Sequence, residues 1–296
     1  MPPKDLLLFI PGTMGSCLQL RSATEDPPMK LWHERPAQSL SQLVKNPTLY
    51  KWNPDTSIEA YSVLSHVDSF FRRVDICTEL RNSLQKLEPY EYIEFPYDWR
   101  QDIRITAKQL GDFVSNKLTN SQHNARRLSV IGHSMGGLIG ALALLNAHIP
   151  ASRVWKFISI ATPYYGAPCA FKALSEIGYL PGMTWLDRTL NWRRDRRKCR
   201  QILLQAFRSF SSTYQLLPPV DNSYVDLEDG RSINPLREAV WDKPMIEAAI
   251  ETQNQLARFP EFLTENPTIQ HHFIYGDYPD NTDRLYSAKV SPYGTA

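Results

Sequence analysis

The spacing of apolar and polar residues predicts an alternation of strands and helices over much of the chain. The apolar run at 6–10 has the length of a buried strand, and residues 154–160 also have the character of a strand. Apolar residues recur every three or four positions over 75–87 and 103–118, and this spacing predicts amphipathic helices. Strands and helices alternate over residues 73–160, so we expect a mostly parallel sheet with helices on both faces.

After residue 165 the pattern changes, which indicates a separate layer of structure. Residues 166–266 contain helical stretches, many prolines and few strand signals, whereas residues 269–275 again have the character of a strand. A long insertion between two sheet strands is typical of a cap over an active site. The sequence therefore predicts a core over 1–165, a cap over 166–266, and a return to the core over 267–296.

The segment between residues 22 and 60 is polar and contains prolines, so we expect it to form loops outside the core. Two apolar islands interrupt it, Leu31-Trp32 and residues 49–52. Trp32 is a candidate for covering the mouth of an active site, and simple packing against the fold is the alternative.

A glycine-flanked serine joins a short β-branched run to an apolar helix. The segment from Arg127 to His148 contains Gly-His-Ser-Met-Gly-Gly at 132–137, between residues suited to a strand and residues suited to a helix. This order is typical of a nucleophile elbow, in which the serine stands at a strained turn and small residues avoid the neighbouring strand and helix. The pattern indicates Ser134 as a nucleophile, with the amide of Met135 facing the developing anion. A glycine-rich turn that happens to contain a serine is the alternative.

A second candidate for anion stabilisation follows the first apolar run. The chain continues from Ile10 into Pro-Gly-Thr-Met-Gly-Ser at 11–16. A glycine-bearing loop directly after a first strand is where a second oxyanion-hole amide would lie, and Thr13 is our candidate for it. An ordinary turn is the alternative.

Composition narrows the functional classes only slightly. The chain has 296 residues, 42% of them hydrophobic, and its formal net charge of +2 gives no reason to expect a nucleic-acid partner. The four cysteines lack the paired spacing of a metal site, and we expect neither a metal nor another cofactor. No apolar run has the length of a signal-peptide core or a membrane span, so we expect a soluble, cytoplasmic protein.

The predicted cap contains a dense basic segment. Residues 185–210 carry a net charge of +6, which leaves −4 for the rest of the chain, and apolar residues lie between the cations. Such a segment either contacts an anionic membrane surface or forms a solvated helix face, and both interpretations stay open.

Four separated motifs share a resemblance. They are the loop at 11–16, Phe-Pro-Tyr-Asp-Trp-Arg at 95–100, the elbow at 132–137, and Ala-Thr-Pro at 161–163 with Gly166. Together they resemble the lecithin:cholesterol acyltransferase (LCAT) family, which includes lysosomal phospholipase A2 and phospholipid:diacylglycerol acyltransferases.

The resemblance implies an α/β-hydrolase fold with a helical cap. It implies that Ser134 is the acyl-accepting nucleophile and that the amides of Thr13 and Met135 form the oxyanion hole. It also implies fatty acyl ester substrates such as glycerophospholipids, with water or an alcohol as the acyl acceptor. For Asp98 and Arg100 it implies a structural role in tying loops together around the site.

The chain departs from that family where the rest of a catalytic triad is expected. The family provides its acid from a Gly-Asp-Gly-Thr-Val-like segment and its histidine further on, and neither motif occurs here. Asp277 and Asp280 are the candidates for the acid, and no histidine follows His272. We expect either a chain that ends before its last strand or a degenerate site.

None of the seven histidines has a suitable position for the base. His133 lies inside the elbow, with its side chain directed away from Ser134. His148 lies at the far end of the elbow helix, about 20 Å from the serine at 1.5 Å per residue. The others fall in loops, early helices or the strand before the acid loop; they are His33, His66, His123, His271 and His272.

Two main functions remain. The intact elbow favours a serine-dependent lipid acyl hydrolase or acyltransferase, whereas the missing histidine favours a catalytically incomplete domain that binds lipid or a protein partner. An ordinary hydrolase of small esters is a third option, and the large predicted cap argues against it.

Overall fold

A computed structural model describes most of the chain. The described residues are 5–21, 27–69, 72–75, 77–119, 127–175, 196–218, 224–225, 232–233 and 242–275.

The described residues form twelve strands and ten α-helices. The strands are β1 (Leu6–Ile10), β2 (Ser16–Leu20), β3 (Met29–Trp32), β4 (Ile58–Val63), β5 (His66–Ser69), β6 (Arg72–Asp75), β7 (Glu91–Glu94), β8 (Leu128–His133), β9 (Val154–Ile160), β10 (Tyr224–Val225), β11 (Ser232–Ile233) and β12 (Gln270–Ile274). The helices are α1 (Pro36–Lys45), α2 (Pro47–Tyr50), α3 (Thr78–Gln85), α4 (Ile103–Thr119), α5 (Met135–Leu145), α6 (Pro168–Ser175), α7 (Arg196–Phe207), α8 (Ser211–Gln215), α9 (Lys243–Leu256) and α10 (Phe259–Glu265).

Five of these strands form a parallel sheet in the order β12-β9-β8-β1-β7. β1 is an inner strand, and all five of its residues are buried. Its side chains alternate between two separate apolar cores, because neighbouring residues of a strand point to opposite faces of a sheet. Both faces of the sheet are therefore covered, as the alternation of strands and helices predicts.

Helices α4, α5, α9 and α10 pack into the larger of these two cores. α5 is almost entirely apolar, and ten of its eleven residues are buried. α4 and α9 both contact α5, and Phe259 of α10 packs edge-on to Phe157 of β9 with ring centroids 5.3 Å apart. α3 contributes Leu84 to the smaller core.

The register of the sheet brings the carboxyl ends of three strands together. Ile10 of β1 pairs with Gly132 of β8, and Ile160 of β9 pairs with His133. The chain leaves each strand at or just after these pairs. The loop after β1, the turn after β8 and the segment after β9 therefore lie at one edge of the sheet, where open α/β sheets bind their ligands.

The prediction that residues 22–60 form loops outside the core is wrong for much of this segment. β3 and β4 pair with β2 in an antiparallel sheet, and Leu31, Leu43 and Tyr50 are buried. The Tyr50 hydroxyl lies 2.6 Å from the carbonyl oxygen of Leu31 and so links α2 to β3. The prediction is wrong because it took polar composition as a sign of loops. A small antiparallel sheet with one solvated face needs few apolar residues.

The predicted cap, residues 166–266, is described only in part, and its extent stays a prediction. α8 packs against α9, while α9 and α10 pack on α5, so the C-terminal part of the predicted cap contacts the core directly. Within the basic segment, residues 185–195 lie outside the described residues. The guanidinium of Arg208 donates a 3.0 Å hydrogen bond to the carbonyl of Leu174 in α6. None of the described helices has the length and apolar character needed to span a bilayer.

Candidate active site

Ser134 stands at a sharp turn between β8 and α5. Its φ of 52° and ψ of −124° lie in a region of backbone space where residues with side chains are strained. The Ser134 amide donates a 2.8 Å hydrogen bond to the carbonyl of Ile160, and the Gly137 amide donates a 3.0 Å bond to the carbonyl of Ser134. The strand, the strained serine and the helix are the parts of a nucleophile elbow.

Two glycines make this turn possible, because backbone atoms crowd both of them. A Cβ atom on Gly132 would lie 2.5 Å from the Cα atom of Gly137, and one on Gly136 would lie 2.5 Å from the carbonyl oxygen of Pro11. Such contacts are far closer than van der Waals distance, and backbone atoms cannot rotate away as a side chain can. Glycine at both positions therefore lets β8, α5 and the loop after β1 approach one another.

The β1–β2 loop, residues 11–15, lies directly against the serine. A Cβ atom on Gly12 would lie 2.9 Å from the Cβ atom of Ser134. The hydroxyl of Thr13 donates a weak hydrogen bond to the sulfur atom of Met135 at 3.5 Å. Within the described residues, neither the amide of Thr13 nor that of Met135 has a hydrogen-bond acceptor. Two residues next to the serine thus have unpaired amides, which are the donors that an oxyanion hole needs.

The segment 95–100 holds both ends of the β1–β2 loop. The Tyr97 hydroxyl donates a 2.7 Å hydrogen bond to the carbonyl of Pro11, where the loop begins. The Tyr97 amide donates to the hydroxyl of Ser16, and the indole of Trp99 donates to the Ser16 carbonyl, both at 3.1 Å. The loop is therefore anchored on either side of the residues that face Ser134.

Asp98 and Arg100 in the same segment form a largely buried ion pair. Nε and Nη2 of Arg100 donate to the two carboxylate oxygens of Asp98 at 2.8 and 2.6 Å, and Nη1 donates to the carbonyl of Leu49 at 3.1 Å. Only 2% of the Arg100 side chain is exposed. The pair ties segment 95–100 to α2, which is the structural role that the resemblance implies.

Comparison with known proteins gives three findings. A family model described as a putative serine esterase (DUF676) matches residues 97–214. Phospholipase A(1) LCAT3 of Arabidopsis thaliana is 26% identical over 190 residues in an alignment that covers 56% of this chain and 42% of that protein. The chain thus spans less than half the length of this relative. One chain in the crystal structure of the Tle4-Tli4 complex matches with a TM-score of 0.51 and 13% identity, over 97% of this chain and 80% of that one.

These findings agree with the sheet and with the turn at Ser134. The chain has an α/β-hydrolase fold and resembles the LCAT family. The predicted fold class, a mostly parallel sheet flanked by helices, is confirmed. Ser134 occupies the strand-to-helix turn at the carboxyl edge of the sheet, which is where the α/β-hydrolase fold places its nucleophile.

The other members of a triad do not contact Ser134 in the described part of the chain. The Ser134 hydroxyl has no hydrogen-bond partner there. His123, Asp277 and Asp280 lie outside the described residues, so both aspartates stay candidates for the acid. β12, which precedes the aspartates, ends near the carboxyl edge of the sheet, since its Ile274 carbonyl accepts a 2.7 Å bond from the amide after β9. Among the residues that the structure describes, no group of three or more His, Cys, Asp or Glu residues could hold a metal ion.

Burial lowers the pKa of two described histidines. His133 precedes the proposed nucleophile and lies close to the β1–β2 loop: its Nδ1 is 3.2 Å from the position that a Cβ atom on Gly12 would take. Desolvation lowers the pKa of His133. His33 accepts a 3.3 Å hydrogen bond at Nδ1 from the amide of Arg35, and desolvation lowers its pKa against the opposing effect of the Glu34 carboxylate. Burial therefore favours the neutral form of both rings.

Trp32 lies at the end of β3, against the β1–β2 loop. Its indole nitrogen donates to the carbonyl of Met14 at 2.9 Å, and its ring packs edge-on to Trp99 with centroids 5.8 Å apart. That Trp32 covers the mouth of the site stays a prediction. Sequence reasoning does not identify Ser16 and Tyr97 as anchors of the loop. Their only signal is their place in two of the motifs, the loop at 11–16 and the string at 95–100.

Proposed function

We propose that this hydrolase cleaves fatty acyl esters such as glycerophospholipids through an acyl intermediate on Ser134. The observation that carries the proposal is the position of Ser134 at a strained turn, at the N-terminus of α5 and beside the β1–β2 loop. Strain and an adjacent helix N-terminus are features of a nucleophile rather than of a structural serine. The similarity to a phospholipase A(1) and to a putative serine esterase family supports a lipid ester as substrate.

In the first half-reaction the Ser134 hydroxyl attacks the ester carbonyl carbon while a general base accepts its proton. The carbonyl oxygen becomes an anion, and the amides of Thr13 and Met135 would donate hydrogen bonds to it. The tetrahedral intermediate then collapses, the bond to the alcohol oxygen breaks, and the alcohol leaves with the proton. The product of this half is an ester between Ser134 and the fatty acid.

In the second half-reaction water or a second alcohol attacks the acyl-serine. Attack by water makes the protein a hydrolase, whereas attack by an alcohol makes it an O-acyltransferase, and the outcome depends on how far water is excluded from the acyl-enzyme. The base in both halves would be a histidine oriented by an acid, for which Asp277 and Asp280 are our candidates.

Ser134→Ala tests the proposal. The full-length protein is treated with a fluorophosphonate probe and with esters of a short and a long fatty acid. We expect the variant to lose labelling and its ester cleavage to fall by on the order of 10⁶, to background. Ser115→Ala is the matched control, because Ser115 lies on the exposed face of α4, and it should behave like the wild type. Undiminished labelling of Ser134→Ala would refute the assignment.

A non-catalytic domain that binds lipid or a protein partner is the second candidate function. The observation in its favour is that the Ser134 hydroxyl has no hydrogen-bond partner among the described residues. The wild-type protein distinguishes the two functions. A serine hydrolase reacts with the fluorophosphonate and turns over esters, whereas a binding domain retains a fatty acyl ligand and does neither.

A further inference from the structure

The β1–β2 loop contains a backbone conformation that its residues do not favour. The amide of Gly15 donates a 2.9 Å hydrogen bond to the carbonyl of Gly12, so residues 12–15 form a four-residue turn. Met14, at the third position of the turn, has a φ of 59°. A positive φ at this position is typical of a type II turn, where glycine or asparagine is usual. A methionine there is strained, so contacts from outside the turn must hold it in place.

Three carbonyl groups of the loop accept hydrogen bonds from residues elsewhere in the chain. The pairs, donor first, are Tyr97 to Pro11 at 2.7 Å, Trp32 to Met14 at 2.9 Å and Leu64 to Gly15 at 2.8 Å. These bonds fix the orientation of the peptide planes in the loop. The amide of Thr13, by contrast, has no acceptor among the described residues.

Trp32 acts on the strained residue itself. Its indole nitrogen binds the carbonyl of Met14, in the peptide that directly follows the positive φ. The indole reaches this point because β2 starts directly after the loop and β3 folds back along it, with Leu18 and Trp32 opposite each other in the register. Trp99 supports the ring edge-on, and it contacts Phe210 in turn, with centroids 5.6 Å apart.

We propose that Trp32 is a positioning residue, which holds the turn at 12–15 in the form that directs the Thr13 amide towards Ser134. The inference rests on the proposed function, because it takes Ser134 as the nucleophile and Thr13 as an oxyanion donor. Without the indole N–H, Met14 relaxes to negative φ, the turn changes type and the neighbouring peptide planes rotate. An oxyanion donor acts only at the correct distance and direction, so the loss falls on kcat rather than on substrate binding.

The first part of the test uses Trp32→Phe together with a rescue variant. Phenylalanine keeps an aromatic ring against Trp99 but has no N–H, so we expect kcat to fall about tenfold while KM stays within about twofold. Met14→Gly removes the strain, because glycine adopts positive φ freely. We therefore expect the Trp32→Phe, Met14→Gly double variant to have a kcat within about twofold of Met14→Gly alone.

Trp155→Phe is the matched control for this series. Trp155 lies at the amino end of β9, away from the β1–β2 loop, and its ring packs against the guanidinium of Arg127 at 4.4 Å. It has no contact with the proposed catalytic groups among the described residues. The same substitution there should leave kcat unchanged.

Amide hydrogen exchange gives a readout that does not depend on activity. The rate is measured at the Gly15 amide, whose bond to Gly12 closes the turn, in a Ser134→Ala background with and without Trp32→Phe. We expect loss of the indole bond to accelerate this exchange about five- to tenfold. Adding Met14→Gly should slow it again.

Three results would overturn the inference. An unchanged kcat in Trp32→Phe, together with loss of activity in Ser134→Ala, would leave the proposed function intact and remove the role of Trp32. A fall in kcat that Met14→Gly does not rescue would mean that Trp32 acts through packing alone. Full activity in Ser134→Ala would remove the proposed function itself, whatever the exchange rates are.

Discussion

Removing the guanidinium of Arg100 should destabilise the fold far more than removing one at the surface. Arg100→Met keeps the bulk of the side chain but removes both guanidinium donors from the Asp98 carboxylate, which is 15% exposed, and the donor to the carbonyl of Leu49. The backbone amide of residue 100 is then the remaining donor to Asp98. Arg100 itself is 2% exposed, so little solvent can replace these bonds. Breaking a buried ion pair by removing one partner costs about 3–5 kcal/mol. We expect the free energy of unfolding to fall by about that amount.

Urea denaturation followed by circular dichroism measures this difference. Arg21→Met is the matched control, because Arg21 pairs with Glu59 at 3.2 Å while 76% of its side chain is exposed. We expect the control to cost less than about 1 kcal/mol, since water screens the pair. A double variant, Asp98→Asn with Arg100→Met, should recover part of the loss because no uncompensated charge remains. If Arg100→Met costs no more than Arg21→Met, the reasoning about this pair is wrong.

Two further predictions concern charge. Burial lowers the pKa of His133 and His33, so their stabilising contribution is present above the unfolded pKa of about 6.5 and is lost as the pH falls through the folded pKa. Urea denaturation should therefore show falling stability from pH 7 to 5, and a smaller fall in a His33→Asn, His133→Asn variant; an equal fall would contradict the assignment. If the basic segment at 185–210 docks on membranes, co-sedimentation with vesicles should rise with anionic lipid content and weaken with salt. Equal binding to neutral and anionic vesicles would leave only the solvated-face interpretation.

Much of the sheet and the elbow can be predicted because their signals are local. The bounds of β1 and β9 match the strands predicted from the sequence. All five residues of β1 are apolar and buried, because a strand covered on both faces has little polar interruption. The turn at Ser134 can be predicted equally well, because the two glycines that prevent steric clashes in the turn lie within two residues of Ser134.

The contacts that hold the β1–β2 loop could not be predicted in the same way. Pro11 and Tyr97 are 86 residues apart in the sequence, and Trp32 is 18 residues from Met14. No local sequence pattern predicts contacts between residues so far apart. The positive φ of Met14 is also invisible in the sequence, because methionine does not signal that conformation as glycine does.

Mass spectrometry can test directly whether Ser134 is the nucleophile. The full-length protein is treated with a fluorophosphonate probe and digested with trypsin, and the peptide from Leu128 to Arg153 is fragmented, because Ser129 and Ser152 lie in the same peptide. We predict one adduct, on Ser134. An adduct on another serine, or ester hydrolysis by a protein with no adduct in this peptide, would contradict the assignment of Ser134 as the nucleophile.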